Sequence, residues 1–146
     1  MEDMFKNKMI KLIIFDLDGV LCDCKDLHYE SLNRALSSLD SKFSISMEEH
    51  LSKYDGLNTT KKLSMLTADK GLPVEYHNSI WEKKQAETTN LINAFTVDAR
   101  IVKILEKLKL DGVMLAVASN SIRNTVKTIL LRLGFMEHID FFFSNQ

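Results

Sequence analysis

An apolar run that ends abruptly in two carboxylates is the feature that most constrains the fold of this chain. The run covers residues 10–15 and is interrupted only by Lys11; Asp16 and Asp18 follow it, with Gly19 directly after them. A short, bounded apolar run that is rich in isoleucine indicates a buried strand. Two acids at its end can converge in front of the carboxyl edge of a sheet, where open α/β sheets place their ligands. The alternative is a β-hairpin, because Asp18-Gly19 is also a tight-turn signal.

Composition sets mild limits on the class of protein. An apolar fraction of 45% and a charged fraction of 27% are ordinary for a globular domain, and 146 residues suffice for one domain with a small insertion. A net charge of -1 gives no reason to expect nucleic acid or an anionic membrane as partner. We expect neither a signal peptide nor a membrane span, because Lys11 interrupts the first apolar run and Asp16 closes it. The expected location is the cytoplasm.

The two cysteines, Cys22 and Cys24, are two residues apart in the sequence. This separation is too short for an ordinary disulfide and lacks the C-x-x-C spacing of redox motifs, so we expect free thiols in a reducing compartment. A role as metal ligands stays open, although no further cysteine completes such a site. The other candidate ligands show no metal-binding spacing and are expected at surface or capping positions: His50, His77 and His138.

The middle of the chain is predicted to be entirely helical. Apolar residues recur at helical spacing, Ser46 opens a capping-box pattern with Glu49, and Gly71 marks a helix end. The predicted helices cover residues 26–39, 47–54, 59 or 60 to 71, and 74–95, the last in one piece or two.

The remainder alternates helices with apolar runs. Residues 113–118 and 139–143 are predicted strands, and Asp98 and Ser121 can cap the helices before them. With the first strand, this order predicts a parallel sheet with helical crossovers. The helical block is too long for an ordinary connection. We therefore expect an α/β core formed by residues 9–21 and 96–146, with residues 22–95 as an inserted all-helical cap over the carboxyl edge of the sheet.

Two motifs resemble those of the haloacid dehalogenase superfamily. Residues 15–21 resemble its first motif, an apolar strand followed by DxDGxL, and residues 116–121 resemble its second motif, an apolar strand that ends in Ser or Thr. The helical insertion is similar to the C1 cap of the β-phosphoglucomutase and phosphoglycolate phosphatase branch. The resemblance extends over nearly the whole chain from Met9 and implies a Rossmann-like hydrolase core with a helical cap.

The resemblance implies phosphoryl transfer from a small phosphorylated metabolite, such as a sugar phosphate or phosphoglycolate. Asp16 would be the nucleophile that forms an aspartyl phosphate, and Asp18 the general acid and base. Asp16 and the backbone carbonyl of Asp18 would bind Mg²⁺. Gly19 would let the backbone approach the phosphate, and Ser119 with the amide of Asn120 would hold phosphoryl oxygens. Plain helix capping is the alternative for Ser119 and Asn120. An aspartate at position 18 favours a phosphatase or phosphomutase.

Three residues of the cap are further candidates through the same resemblance. His28, ten positions after Asp18, matches a cap-entry histidine that orients the second aspartate, with a surface position as the alternative. Residues 56–62 correspond to a cap loop that reaches over the substrate. Thr59 and Lys62 are therefore candidate substrate-binding residues, with a solvated helix start as the alternative for each.

Two further motifs of the family have no counterpart in the sequence. A lysine would follow Asn145 by several residues and an acidic pair would come later, whereas the sequence ends at Gln146. We therefore expect a fragment of a longer protein, without phosphatase activity of its own, in which residues 10–15 form an open sheet edge. A non-catalytic module that binds a phosphorylated ligand or a partner is the alternative function.

Overall fold

A three-stranded parallel sheet organises the chain. The computed structural model describes residues 9–145, and the sequence end at Gln146 lies outside them. The strands are β1 (Leu12–Asp16), β2 (Met114–Ala118) and β3 (Phe141–Phe143), in the order β1-β2-β3. Both pairings are parallel, which confirms the predicted α/β class. The hairpin alternative is wrong, because the strand before Asp18-Gly19 pairs with β2, about a hundred residues further along the chain.

Helices account for most of the rest of the described chain. Residues 26–94 contain no strand, as predicted, although the long helix expected over 74–95 is preceded by a separate 3₁₀ turn at Val74–Tyr76. A π-helical turn, His50–Tyr54, continues the second helix. The α-helices are α1 (Lys25–Ser37), α2 (Met47–Glu49), α3 (Thr59–Lys70), α4 (His77–Ile92), α5 (Ala99–Leu110) and α6 (Arg123–Arg132). No helix in the described range is both long and apolar enough to cross a membrane.

Most of the predicted helix boundaries are confirmed by their caps. Ser46 and Glu49 form the expected capping box, Asp98 accepts hydrogen bonds from the first backbone N–H groups of α5, and Gly71 ends α3 in a left-handed conformation. The predicted cap at Ser121 is wrong. The N-cap position of α6 is occupied by Ile122, one residue after Ser121, and no side chain caps this helix.

Two hydrophobic clusters form the interior. One lies beneath a single face of the sheet, and the other lies within the helical block. Helices α1 and α4 contribute to both, since Leu27 and Ile92 pack under the sheet while Leu32 and Ile80 pack in the helical block. The division into a core and a cap at residues 22 and 95 therefore stays a prediction.

His50 lies at a position that differs from the prediction. It is fully buried, with its ring 5.6 Å from that of Tyr29. The reason is helical spacing, because His50 and Tyr54 are four residues apart and share the inward face of their turn.

The second face of the sheet is exposed and apolar. Side chains alternate along a strand, so the register of the three strands places one apolar set on a common face. Within the described residues β1 has a paired neighbour only on its β2 side, so the predicted open edge is present. The exposed apolar residues are Leu12, Ile14, Met114, Phe141 and Phe143.

Candidate active site

A cleft of about 790 Å³ opens between the carboxyl edge of the sheet and the helical block. Asp16 ends β1 and lies in register with Ala118, the last residue of β2. Asp18 and His28 line the cleft with Asp16. The structure thus brings together the two carboxylates and the histidine that the sequence singles out.

Alternation at the end of β1 directs both carboxylates to the cleft. Leu17, between them, is fully buried, and its backbone N–H donates a hydrogen bond of 2.7 Å to Asp16 Oδ1. Its carbonyl accepts hydrogen bonds from the backbone N–H groups of Leu21 and Cys22, at 3.1 and 3.0 Å. Gly19 has a φ of 80°, a conformation that favours glycine. The backbone therefore fixes the loop that carries Asp18.

His28 contacts the second carboxylate. Its Nε2 atom lies 3.2 Å from Asp18 Oδ1, at hydrogen-bond distance. The histidine lies in the first turns of α1, and its backbone N–H donates to Cys24 O at 3.0 Å. The helix start therefore holds the imidazole against Asp18, as an orienting role requires.

The loop after β2 is divided between structural and cleft-facing residues. Ser119 does not belong to the described cleft lining; its N–H donates to Phe143 O, and its Oγ accepts from the Ser121 N–H at 3.0 Å. Asn120 does line the cleft, and its side-chain amide donates to Gly56 O at 3.4 Å. The candidate phosphate-binding loop therefore also connects the sheet to the predicted cap loop.

Two buried lysines face the carboxylates from the helical block. Lys62 is 5% exposed and Lys84 is 7% exposed, and both line the cleft with Thr59. Burial lowers the pKa of Lys62, while Asp55 and Asp18 act in the opposite direction. Burial also lowers the pKa of Lys84, to about 8, and the Lys62 charge adds to this effect. In the described chain neither ammonium group has an ion-pair partner, so an anion in the cleft would be held from this side.

Lys84 was not identified from the sequence. A lysine on an amphipathic helix is normally solvated, with only its stem covered. A usable signal is nevertheless present, because Lys84 and Thr88 fall in the same four-residue row of α4 as Ile80 and Ile92, and all four are buried.

The two cysteines differ from the expectation of free thiols. The sulfurs of Cys22 and Cys24 are bonded in this structure. The loop from Leu17 to Cys24 brings their Cα atoms to 5.8 Å, within the usual range for a disulfide. The short sequence separation was therefore a poor guide to the distance.

The donor chemistry of the cleft fits Mg²⁺. Asp16 and Asp18 both line this space, and hard oxygen ligands such as a carboxylate and a backbone carbonyl are what this ion takes, together with several waters. These two residues are the ones that would hold it.

Comparison with known proteins gives the family. The model for haloacid dehalogenase-like hydrolases matches residues 13–146. The β-phosphoglucomutase of Bacillus subtilis (strain 168) is 28% identical over 135 residues, which are 88% of this chain and 58% of that protein. The chain thus spans about three fifths of the length of this curated relative.

Solved structures agree at the level of the fold. A predicted phosphoglycolate phosphatase from Haemophilus somnus 129PT is 22% identical with a TM-score of 0.79, over 94% of this chain and 63% of that one. CbbY from Rhodobacter sphaeroides, in complex with xylulose 1,5-bisphosphate, is 19% identical with a TM-score of 0.81, over 93% of this chain and 64% of that one. The family model, which covers most of the sequence, shows that the chain belongs to the haloacid dehalogenase-like hydrolase family.

Proposed function

We propose that this chain carries the nucleophile, the acid/base and the substrate-covering part of a cytoplasmic, Mg²⁺-dependent enzyme that transfers a phosphoryl group from a small phosphorylated sugar. The observation that carries the proposal is the arrangement of the cleft. Asp16 and Asp18 line it from the sheet edge, and the buried Lys62 and Lys84 line it from the helical block. A dianionic phosphate with a second polar or anionic end fits between these groups.

In the first half-reaction, an Asp16 oxygen attacks phosphorus as the bond to the leaving oxygen breaks. The product is an aspartyl phosphate, so one difficult displacement becomes two easier ones. Asp18 donates a proton to the leaving oxygen, and His28, 3.2 Å away, keeps that carboxyl aligned. Asp16, through its carboxylate, and Asp18, through its backbone carbonyl, would hold Mg²⁺, whose positive charge would offset the repulsion between the carboxylates and the phosphate.

In the second half-reaction, Asp18 takes a proton from water or from a sugar hydroxyl. The oxygen so activated attacks the phosphorus of the aspartyl phosphate, and the Asp16 carboxylate leaves. Attack by water gives a phosphatase, and attack by a second hydroxyl of the sugar gives a phosphomutase. Asn120 closes the cleft over the reacting group through its contact with Gly56, and Ser119 supports the backbone of that loop through the Ser121 N–H.

The lysines favour an anionic group at the far side of the cleft. Removing Lys62 and Lys84 from water costs free energy unless an opposite charge replaces the lost hydration. A bound phosphate, sulfate or carboxylate provides that charge. CbbY, with its bisphosphate ligand, and the Bacillus β-phosphoglucomutase are consistent with phosphorylated sugars as the class to test.

The test is phosphate release, or isomerisation, across a panel of aldose and ketose monophosphates with and without Mg²⁺. It compares this chain, a version extended beyond Gln146 and Asp16→Asn. We expect Mg²⁺-dependent turnover in the extended version and none in Asp16→Asn, with the fold retained. Asp23→Asn is the matched control, because Asp23 is an exposed acid of the same loop outside the cleft lining. Saturable sugar phosphate binding without turnover in either version would instead favour the non-catalytic alternative.

A further inference from the structure

The loop between Asp18 and α1 holds both cysteines beside the second carboxylate. The ligand atoms of Asp18, Cys22 and Cys24 all lie within 4.8 Å of one another. The proposed phosphoryl transfer uses neither sulfur. The sequence showed no further cysteine that could complete a metal site with these two. In the structure, Asp18 provides a third ligand.

Backbone hydrogen bonds hold these ligands together independently of the disulfide. The Gly19 N–H donates to Cys22 O at 2.7 Å, and Asp18 and Cys22 face each other in an isolated parallel bridge. Cys24 precedes α1, and its carbonyl accepts the His28 N–H at 3.0 Å. Reduction of the S–S bond therefore leaves both sulfurs beside the carboxylate.

Two thiolates and one carboxylate form a donor set for Zn²⁺ and not for Mg²⁺. Zn²⁺ binds cysteine sulfur at about 2.3 Å in a tetrahedron, so two bound sulfurs lie roughly 3.7 Å apart. The two sulfurs are bonded in this structure and would have to move apart after reduction, whereas the Asp18 oxygen already lies within 4.8 Å of both. Cys24 is fully buried, whereas the Asp18 side chain is 34% exposed, so an ion would enter from the cleft.

We propose that, once the disulfide is reduced, Asp18, Cys22 and Cys24 bind one Zn²⁺ or a similar thiophilic divalent cation, with water as the fourth ligand. A dithiol reagent adds two electrons and two protons to the sulfurs and is itself oxidised to a disulfide. Binding of the ion then releases both thiol protons to solvent. The disulfide form offers no thiolate and does not bind the ion.

The bound ion coordinates the carboxylate of Asp18, the residue that the proposed reaction uses as acid and base. With its carboxylate on Zn²⁺, Asp18 cannot transfer protons, so the ion inhibits phosphoryl transfer. This consequence rests on the proposed function, but the binding of Zn²⁺ does not.

The experiment is calorimetric titration with Zn²⁺ of the whole chain, in excess Mg²⁺, in two forms. One form is reduced with a dithiol and desalted without oxygen; the other keeps its disulfide, verified by a mass two daltons lower, one for each hydrogen removed. We expect one Zn²⁺ per reduced chain and at least hundredfold weaker binding by the disulfide form. Cys22→Ser and Cys24→Ser should each weaken binding by at least tenfold, and Asp23→Asn should leave it unchanged. Co²⁺ should give a sulfur-to-metal charge-transfer band only in the reduced form.

Equal affinity in the two forms, or binding that survives both cysteine replacements, would overturn the site. A folded, reduced chain that takes up no Zn²⁺ would do the same. The comparison of the two forms needs no substitution, so it decides the matter even if a serine variant fails to fold. Tight Zn²⁺ binding with unchanged phosphoryl transfer would support the site and overturn its inhibitory effect.

Discussion

His28 Nε2 lies 3.2 Å from Asp18 Oδ1, and this contact joins the start of the helical block to the end of the first strand. A carboxyl group that gives and takes a proton must keep one orientation through both half-reactions. In the proposed reaction the imidazole would provide that orientation, since the first turns of α1 hold its backbone in place.

Replacement of His28 should therefore slow phosphoryl transfer with little effect on KM. In the version extended beyond Gln146, we expect His28→Ala to lower kcat by roughly tenfold to a hundredfold, part of the 10²–10⁴ that acid/base catalysis typically supplies. His28→Gln keeps a hydrogen-bond donor and should retain more activity. The control is His138→Asn, outside the cleft lining. Equal loss in the Ala and Gln variants, or a rise in KM alone, would rule out an orienting role.

The buried lysines should lower the free energy of unfolding and strengthen the binding of a sugar phosphate. Lys84→Met keeps the packing of the stem and removes a desolvated charge, so we expect it to raise the free energy of unfolding at pH 7 by on the order of 1–3 kcal/mol. It should also weaken the binding of a sugar phosphate. Lys83→Met, an exposed neighbour, should change neither quantity. Urea unfolding and calorimetric titration measure the two effects.

The gain in unfolding free energy from Lys84→Met should depend on pH, because the pKa of Lys84 is lowered. It is about 8 in the folded chain, against an ordinary value of 10.5. Between these values the unfolded chain binds a proton that the folded chain does not, so wild-type stability rises with pH. The advantage of Lys84→Met should therefore shrink as the pH is raised from 8 towards 10.5. An advantage that is constant over this range would show that the buried charge is not its source.

Burial of His50 predicts a loss of stability in mild acid. Burial, with a contribution from the Lys62 charge, lowers the pKa of His50 below its ordinary value of 6.5. Below that value the unfolded chain takes up a proton that the folded chain refuses, so stability falls as pH falls. His50→Leu should flatten this part of the profile, measured by urea unfolding between pH 7 and pH 5. An unchanged slope in the variant would assign the pH dependence to other groups.

The exposed sheet face predicts self-association. Ile14 lies on that face and is 56% exposed, next to an unpaired strand edge in the described chain. Ile14→Glu should reduce concentration-dependent light scattering. Leu131→Glu is the matched control, because Leu131 is 54% exposed but lies on α6. Equal effects of the two substitutions would indicate general solubility and not a specific face.

Periodicity and motif order were sufficient for the fold and for the centre of the site. The apolar run before Asp16 indicated a short strand with a hairpin as the alternative, and its parallel pairing with β2 places the residues after it at the sheet edge. The caps at Ser46 and Asp98 could be predicted from the sequence, because each depends on a side-chain hydrogen bond to a backbone N–H group nearby in the chain. Local patterns of this kind survive folding because tertiary packing does not oppose them.

The residues that sequence reasoning misplaced depend on non-local packing. Lys84 and His50 are polar residues that helical spacing turns inward, and residue type alone suggests solvent for the first. Ser121 does not cap α6, because the helix begins one residue later than expected and Ile122 takes the N-cap position. The sulfurs of Cys22 and Cys24 lie together because of the turn that the loop makes after Asp18. The spacing of the two cysteines in the sequence does not indicate this turn.

The identity of the phosphorylated residue tests the central claim most directly. The version extended beyond Gln146 is incubated with Mg²⁺ and a sugar phosphate that it turns over, quenched in acid, digested and mapped by mass spectrometry. We predict one phosphoryl group on Asp16, its loss in Asp16→Asn, and slower labelling in Asp18→Asn. A phosphoryl group on Ser119, or release of phosphate with no labelled aspartate in any form, would contradict the account.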